Sequence, residues 1–399
     1  DHLKGIDTKS VFLLTSKSGE KRGHLQMVQE RLPAGCKVNV YSGIDAEPDR
    51  EAIEEAVAAM RKGRSVDTII ALGGGSVLDA AKIIRLLYDH PEADLNELAL
   101  NFFDFENRII EFPKDVKTKV IAIPTTSGTG SEVTPFAVFK DSLRNIKLSL
   151  VDETLLPNVA IIDANLTKTL PVEITRDTAF DALTHAVESL VSTFASDYTD
   201  GLALESMRLI FEALPKSLEE PENIVWRHKL HNAACLAGMA IGNASVGVNH
   251  ALAHALGAQF DIPHGRANSV FLLSTIAYNS KIPTKFVAAS KFSVLITDKK
   301  KPRATKFLGL VDPKSINDDD PESVKTAIDA LIKKISEFGK AVGQPLSVSE
   351  LGIEFEAYEK AIPKMVIGTI ADMSIKTNPR YALQDEFADL FISSYQPRS

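Results

Sequence analysis

The spacing of apolar residues changes near residue 170, and this change divides the chain into two kinds of structure. Before it, short β-branched runs alternate with segments such as REAIEEAVAAMRKG (50–63), whose apolar residues recur at helical spacing. The predicted strands are VFLLTS (11–16), KVNVYS (37–42), DTIIALGGG (67–75), KVIAIP (119–124) and VAIIDA (159–164). Strands that alternate with helices in this way form a parallel sheet covered by helices.

After TLPVEIT (169–175) the strand pattern largely stops, and long helical patterns follow. These run from AFDALTHAVESLVSTF (179–194) through SVKTAIDALIKKISEFGKAV (323–342) to the end of the chain. A chain of 399 residues is long enough for two domains, since single cores rarely grow past roughly 250–300 residues. We therefore predict an α/β domain over residues 1–172 and an all-helical domain over residues 173–399.

The charge balance of the chain restricts its partners. A net charge of −8 at pH 7 argues against nucleic acid or an anionic membrane as a partner, because both require a basic surface. The densest basic run, TDKKKPRATK (297–306), is too small to reverse this and is interpreted as a solvated loop. We expect a small-molecule substrate instead.

Cysteine usage and apolar runs indicate the compartment. Cys36 and Cys235, far apart and without CxxC spacing, form neither a disulfide framework nor a thiolate metal site. The opening DHLKGIDTKS has no apolar stretch of the kind a signal peptide needs, so we expect a cytoplasmic protein. The run that comes nearest to membrane-spanning length, residues 233–258, is rich in small residues and histidine. We predict a buried core helix there.

A glycine turn follows one of the predicted strands. The segment IIALGGGSVLDAAK (69–82) contains a strand, three glycines and the start of a helix. Glycines at Gly74 and Gly75 let the backbone approach a phosphate closely, while Ser76 and the positive end of the helix dipole favour a bound anion. The segment lacks the GxGxxG fingerprint, so a purely structural turn stays open as an alternative.

A second polar loop follows the next strand of the predicted sheet. In PTTSGTGSEVTPF (124–136), eight residues are Thr, Ser or Gly. In open α/β sheets, ligands bind at the carboxyl ends of the strands, where this loop would lie. Two such loops in one sheet predict that the α/β domain is a dinucleotide-binding domain, although a solvated turn is the alternative for each loop alone.

Histidines cluster in the second half of the chain. His250 and His254 are four residues apart, and so are Asp181 and His185, which places each pair on one face of a helix. Pro263 breaks the helix that follows His254 and presents His264 from the turn beyond. These side chains would be costly on apolar helix faces without partners, and a shared metal would supply one. Satisfied core histidines and a helix-surface pair are the alternatives.

Long stretches of this sequence resemble the iron-containing (group III) alcohol dehydrogenases. The matching motifs are ALGGGSVLDAAK, TTSGTGSEVTPFAV, DALTHAVE, the HxxxH(x9)H spacing of the clustered histidines, and TNPRY (377–381). The resemblance runs from about residue 65 to the end of the chain. It is strongest to the alcohol dehydrogenase half of the bifunctional aldehyde/alcohol dehydrogenases.

This resemblance implies a set of site residues. One divalent metal, Fe²⁺ or alternatively Zn²⁺, would be held in the all-helical domain by Asp181, His185, His250 and His264. His254 is similar to a family histidine that lies beside the metal without binding it. The cofactor positions implied by the family, NAD or NADP being the cofactor, are Gly75, Ser76, Asp79, Thr125, Thr126, Val138, Lys147 and Leu166, and we add Gly74 from the glycine turn.

The expected reaction is hydride transfer between NAD(P)H and a small primary alcohol or aldehyde. One carboxylate and three imidazoles suit Fe²⁺ or Zn²⁺, which would act as a Lewis acid on the substrate oxygen. His254 is a candidate proton relay to solvent, since an imidazole exchanges protons near neutral pH. A packing role beside the metal is its alternative.

The chain departs from the family pattern at the end of its first strand. Relatives often have VTD there, with the acid on the adenosine ribose, whereas this chain has Ser16 followed by Lys17. Removing an anion and adding a cation lowers the electrostatic barrier to a 2′-phosphate. We predict that NADP is at least tolerated, while Glu47 could contact the ribose and keeps NAD open.

Three other functions compete with this one. A dehydroquinate synthase-like lyase would need several cations near the metal, and the ligand-bearing segments contain only Arg266. A glycerol dehydrogenase-like zinc enzyme would differ mainly in the polarity of its substrate pocket. A non-catalytic metal- or nucleotide-binding scaffold would need neither all four ligand types nor both loops.

The family resemblance also implies that the chain could form a homo-oligomer.

Overall fold

The structure is a computed structural model that describes residues 2–44, 48–62, 65–100, 110–141, 146–281 and 321–397. The chain divides into two compact units, Asp1–Leu170 and Pro171–Ser399. The predicted boundary at residue 172 lies close to this division.

A five-stranded parallel sheet forms the centre of the first unit, which confirms the expected α/β class. Its strands are β1 (Ser10–Leu14), β2 (Lys37–Tyr41), β3 (Thr68–Gly73), β4 (Lys119–Pro124) and β7 (Val159–Ala160), in the spatial order β2-β1-β3-β4-β7. All five predicted runs contain a strand, but VAIIDA (159–164) contributes only two residues to the sheet.

Alternate residues of the strands face opposite layers of the first unit. Phe12 and Ile69 belong to a buried cluster on one face, while Leu13 and Ile70 belong to a cluster on the other. β3 is buried along its whole length, as expected for a central strand covered on both sides. The helices in the described part of this unit are α1 (Lys17–Lys21), α2 (His24–Gln29), α3 (Arg50–Arg61), α4 (Gly75–Asp89) and α5 (Leu95–Leu100).

An antiparallel hairpin is the element of the first unit that sequence analysis missed. β5 (Phe136–Asp141) pairs with β6 (Ile146–Val151) in a separate two-stranded sheet. Both strands carry charged or polar residues between apolar ones, so their alternation is short and weak. The hairpin packs against α4 and extends directly from the second polar loop.

The described part of the second unit is mostly helical, as predicted. Its helices are α6 (Val172–Val191), α7 (Asp197–Glu219), α8 (Ile224–Ala244), α9 (Val248–Phe260), α10 (His264–Asn279), α11 (Pro321–Val342), α12 (Phe355–Ala371) and α13 (Gln384–Ser393). α6 starts seven residues before the predicted run at residue 179. None of the helices in the described ranges is long and apolar enough to cross a membrane.

The prediction of one core helix over residues 233–258 was wrong, because two helices share that run. α8 ends at Ala244, and Ser245 then adopts a φ of 63°, which a continuing helix does not allow. Gly247 follows in a position where a Cβ would lie 2.9 Å from Glu188 Oε1. The break turns the chain so that α9 returns toward α6.

Burial of α6 is the main feature of the helical core. Fifteen of its twenty residues are buried, and they include Asp181, His185 and Glu188 as well as apolar side chains. α7, α8 and α10 pack around it and enclose the largest apolar cluster of this unit. Polar side chains in such a position require partners from neighbouring helices.

Glycine at position 265 allows α10 to approach α6 closely. A Cβ on Gly265 would overlap the carbonyl oxygen of Asp177. We expect Gly265→Ala to lower the free energy of unfolding by about 1–3 kcal/mol, as overpacked cores do. Denaturant titration with a chelator present measures this without a contribution from metal.

Gly201→Ala is the matched control, since Gly201 lies in α7, is exposed and has nothing near the position of an added Cβ. It should raise the free energy of unfolding by about 0.5–1 kcal/mol through helix propensity. Equal effects of the two substitutions would contradict the packing argument.

Candidate functional site

Two of the predicted metal ligands come from one turn of α6. Asp181 and His185 are four residues apart and both buried, and His185 Nε2 lies 3.8 Å from Asp181 Oδ1. This is the arrangement that their i, i+4 spacing predicted.

The other two predicted ligands come from α9 and α10. His250 lies in the first turn of α9, and its Nε2 is 3.9 Å from Asp181 Oδ1. α9 ends at Phe260, three residues before Pro263, and His264 is the first residue of α10. His264 is therefore held by the start of a helix and not by the free turn that the sequence suggested. Its Nε2 lies 3.4 Å from Asp181 Oδ1.

These four side chains meet in one place. One ligand atom from each of Asp181, His185, His250 and His264 can be chosen so that all lie within 4.8 Å of one another. The set contains one carboxylate oxygen and three imidazole nitrogens, which fits Fe²⁺ or Zn²⁺ better than Mg²⁺ or Ca²⁺. Among the described residues, this is the group of His, Cys, Asp and Glu that could hold a metal ion.

Electrostatics favour the ligand forms of two members of this group. Burial lowers the pKa of His250 to about 4, so the ring is neutral at pH 7. Burial opposes ionisation of Asp181, but His185, His264 and His250, with a hydrogen bond from Asn268, hold its pKa below the ordinary value. A neutral imidazole and an ionised carboxylate are the states that bind a metal.

Glu188 is a site residue that sequence analysis missed. Its Oε1 accepts a hydrogen bond of 2.6 Å from the backbone N–H of Asn249, and its Oε2 lies 2.5 Å from His250 Nδ1. A proton on Nδ1 satisfies this contact and leaves the lone pair of Nε2 directed at Asp181. Burial raises the pKa of Glu188 to about 7, against the lowering effect of the backbone N–H groups that it accepts from.

Two buried asparagines form a second supporting chain. Asn268 Nδ2 donates to Asp181 Oδ1 at 2.8 Å, and Asn249 Nδ2 donates to Asn268 Oδ1 at 3.0 Å. Thr275 in turn donates to Asn249 Oδ1 at 2.8 Å. The same amide nitrogen of Asn268 lies 3.1 Å from His250 Nε2. These contacts fix the carboxylate that faces the histidines, and no motif used in the sequence analysis contained both asparagines.

His254 lies beside this group without being one of its four members. Its Nδ1 is 2.7 Å from Asp372 Oδ2, and its ring stacks on that of His264 with centroids 5.2 Å apart. The His254 side chain is 30% exposed. Burial disfavours the charge on Asp372, but His254 and hydrogen bonds from Ser374 lower the pKa of Asp372 to about 2. Asp372 stands 118 positions from His254, so local spacing offered no signal for it.

In the first unit, the two polar loops pack against each other. β3 ends at Gly73, Gly74 precedes α4, and the N–H of Thr125 donates to Gly73 O at 2.9 Å. A Cβ on Gly75 would lie 2.8 Å from the Thr129 side chain. Gly75 is thus needed for contact between the loops, whichever ligand the loops bind. Ser76 lies in the first turn of α4 and is partly buried.

The structure also places the remaining predicted cofactor residues. Asp79 Oδ2 accepts from the backbone N–H of Val138 at 3.1 Å, so these two predicted residues contact each other. Thr125 is buried and Thr126 partly buried at the carboxyl end of β4, Lys147 lies on β6, Leu166 is buried in the core, and Ser16 caps α1. Glu47 lies outside the described residues.

We expect Glu188→Gln to weaken metal binding, because a Gln amide offers one oxygen acceptor where the carboxylate now meets two donors. Loss of such a supporting carboxylate typically costs 10–100-fold in metal affinity. Competition for Zn²⁺ with a chromophoric chelator measures the affinity. Glu173→Gln on the exposed first turn of the same helix is the control. Equal affinities in the two variants would show that Glu188 does not support His250.

Comparison with known families covers both units. Residues 1–164 match the family described as iron-containing alcohol dehydrogenase. Residues 175–395 match the family described as Fe-containing alcohol dehydrogenase, C-terminal.

Individual relatives agree with these matches. The chain is 38% identical to the aldehyde-alcohol dehydrogenase of Streptococcus pneumoniae over 98% of its own length, but it spans only 43% of that protein. It is 35% identical to the 1-propanol dehydrogenase PduQ of Citrobacter freundii, covering 96% of this chain and 92% of that one. It is 34% identical to the NADPH-dependent butanol dehydrogenase of Clostridium saccharobutylicum, covering 99% and 94%.

Solved structures show the same fold. An iron-containing alcohol dehydrogenase from Thermococcus thioreducens is similar with a TM-score of 0.81 and 28% identity, over 99% of this chain and 94% of that one. An alcohol dehydrogenase from Oenococcus oeni gives a TM-score of 0.83 and 27% identity over the same shares. Because the two family matches together cover most of its length, this chain belongs to the iron-containing alcohol dehydrogenase family.

Proposed function

We propose that this chain transfers hydride between NAD(P)H and a small primary alcohol or aldehyde, with one divalent metal at the site of Asp181, His185, His250 and His264. The observation that carries the proposal is the approach of one carboxylate and three imidazoles to within 4.8 Å. Fe²⁺ is the metal we propose first, and Zn²⁺ fits the same donors. Relatives named for 1-propanol and for butanol suggest the substrate class.

The side chains around the site have separate roles in this proposal. The metal, when bound, supplies Lewis acidity that favours an alkoxide over an alcohol. Asp181 is the one carboxylate among the four proposed ligands. Asn268 and Glu188 contact these ligands but are not members of the group. Glu188 keeps His250 in the tautomer whose Nε2 faces Asp181, and Asn268 keeps the Asp181 carboxylate oriented.

His254 is our candidate for moving a proton to and from solvent. Asp372 Oδ2 lies against its Nδ1, and the side chain is 30% exposed, so in this proposal Nε2 is the atom that carries the proton. Its ring stacks on His264, so it lies next to a proposed ligand without belonging to the ligand group. A packing role for His254 would leave turnover unchanged when the ring is replaced.

The dinucleotide is proposed to bind the first unit at the carboxyl ends of β3 and β4. Support comes from the packing of the two polar loops there and from the helix start at Gly75. A net charge of −8 supports a small-molecule partner and not nucleic acid. Cytoplasmic location and self-association into a homo-oligomer remain parts of the proposal that rest on cysteine usage and family resemblance.

A lyase acting on a phosphorylated substrate is less well supported. Arg266, the cation that sequence analysis found in the ligand-bearing segments, pairs with Asp177 through a contact of 2.9 Å. Gln344 also donates to Asp177 at 3.1 Å, so this carboxylate and Arg266 form an internal network. An arginine held in this way links α10 to α6 and is not directed at a phosphate.

Asp181→Ala tests the proposed function directly. We expect it to lose bound metal and all reduction of propanal or butanal with NADPH or NADH, because it removes the one carboxylate ligand. His254→Gln should keep its metal and lose turnover by roughly 10²-fold or more, as expected for a lost proton-transfer group. Metal analysis of anaerobically prepared protein and NAD(P)H absorbance are the two readouts.

Asp389→Ala, at an exposed position of α13, is the control and should change neither readout. Full metal content with full activity in Asp181→Ala would overturn the metal assignment. Unchanged turnover in His254→Gln would remove the relay and leave the packing role. A wild-type chain that reduces no aldehyde would leave the non-catalytic scaffold as the better explanation.

Ser16 offers a test of cofactor preference that leaves the local fold intact. Its hydroxyl caps α1 by accepting the N–H of Gly19 at 3.1 Å, and both Asp and Asn can replace it as a helix cap. We expect Ser16→Asp to lower affinity for NADPH roughly tenfold through repulsion of the 2′-phosphate, with little effect on NADH. Ser16→Asn, which adds no charge, should change neither. Equal losses of both cofactors in Ser16→Asp would contradict the prediction.

A further inference from the structure

The strongest unexplained feature of the first unit is a buried cation on α4. The Lys82 side chain is 0% exposed and lies about two turns after the helix start at Gly75. Its Nζ donates to Ser131 Oγ at 2.9 Å, Thr134 O at 3.0 Å and Phe136 O at 2.5 Å. An ammonium has three N–H donors, and the three shortest of these contacts all go to one short segment, residues 131–136.

Two acidic residues lie near the charge of Lys82, one on α4 and one in the segment 131–136. Asp79 Oδ1, on the same helix, lies 3.4 Å from Nζ, and Glu132 is buried within the segment itself. Burial lowers the pKa of Lys82, while Asp79 and Glu132 act to raise it. A buried ammonium is destabilising unless it is paired and hydrogen-bonded. Moving residues 131–136 away would leave the Lys82 ammonium buried without its three closest acceptors. These contacts therefore favour a single conformation of the segment.

Asp79 contacts the start of the segment and the strand that follows it. Its Oδ1 accepts from Ser131 Oγ at 2.5 Å and its Oδ2 from the N–H of Val138 at 3.1 Å. Lys82 and Asp79 therefore tie α4 to the polypeptide from Ser131 to Val138. Residues 131–136 are the second half of the second polar loop, and its first half contains Thr126 and Thr129, which lie next to Gly74 and Gly75.

We propose that Lys82 is a positioning residue for the dinucleotide. It is an internal cation that binds residues 131–136, the second half of the second polar loop, and so keeps the first half of that loop against the amino end of α4. The inference rests on the proposed function, since it assumes that the cofactor lies on these two loops. Lys82 does not touch the cofactor, because its Nζ is enclosed by the protein oxygens that it binds.

Arg85 supplies a matched control one turn further along α4. It is also a buried cation that donates to backbone carbonyls, those of Thr154 and Leu156, and to Asn158 Oδ1 at 3.3 Å. Its partners belong to the turn before β7 and not to either polar loop. Loss of Arg85 therefore removes a comparable buried cation while leaving the loops in contact with α4.

The experiment compares Lys82→Met, Lys82→Gln and Arg85→Met. Dissociation constants of NADPH and NADH are measured by fluorescence, stability by urea titration, and Zn²⁺ affinity by chelator competition. We expect Lys82→Met to weaken cofactor binding at least tenfold and Arg85→Met less than twofold, although both lose stability. Lys82→Gln keeps two N–H donors without the charge, so its cofactor affinity should fall between those of the wild type and Lys82→Met. Zn²⁺ affinity should stay unchanged in all three.

Wild-type affinity in Lys82→Met would overturn the inference, and so would an equal loss of affinity in Arg85→Met at equal loss of stability. If Lys82→Met does not fold, Lys82→Gln takes its place. Wild-type cofactor affinity in Lys82→Gln, or a loss of affinity equal to that of Arg85→Met at equal loss of stability, would then overturn the inference. A wild-type chain that binds neither NADPH nor NADH would instead contradict the proposed function, and the role of Lys82 would fall with it.

Discussion

The helical unit depends on the burial of polar side chains along α6. Asp181, His185 and Glu188 lie on a helix with fifteen of twenty residues buried, where unpartnered carboxylates and imidazoles would cost several kcal/mol each. Their partners come from α9 and α10, which must therefore reach α6 at defined positions. The turn at Ser245 and the close approach at Gly265 both serve this requirement. The geometry of the candidate metal site follows from satisfying these groups.

A related constraint operates in the α/β unit. α4 carries Lys82 and Arg85 on its buried side, and each binds oxygens of a different connecting segment. Loops at the carboxyl ends of parallel strands are the usual place for ligands because they are free to vary. Here one of them is fixed by a buried cation as well as by glycine contacts. Both candidate sites therefore combine proposed ligand-contacting groups with charged groups that hold the surrounding chain in place.

Part of the candidate metal site could be predicted, because two of its four members, Asp181 and His185, form a helical pair. Residues four apart, such as Asp181 and His185, lie on the same face of any helix. The resemblance to the family added His250 and His264 to this pair. Glu188 stood within the quoted motif but was not used, since nothing local says that it faces His250. Asp372 could not have been found in this way, because its contact with His254 depends on how distant helices pack.

The sequence by itself determined the strand and helix periods, the parallel sheet, the helical character of the second half and the pairing of ligands within α6. These follow from backbone geometry, which repeats over a few residues. The repeat is visible in the sequence as a regular spacing of apolar side chains. Tertiary structure alone decided the break of residues 233–258 into two helices, the hairpin of β5 and β6, and the contacts of Lys82 with residues 131–136. These features depend on contacts between segments that are far apart in the chain. The free energy of such contacts cannot be read from the spacing of neighbouring residues.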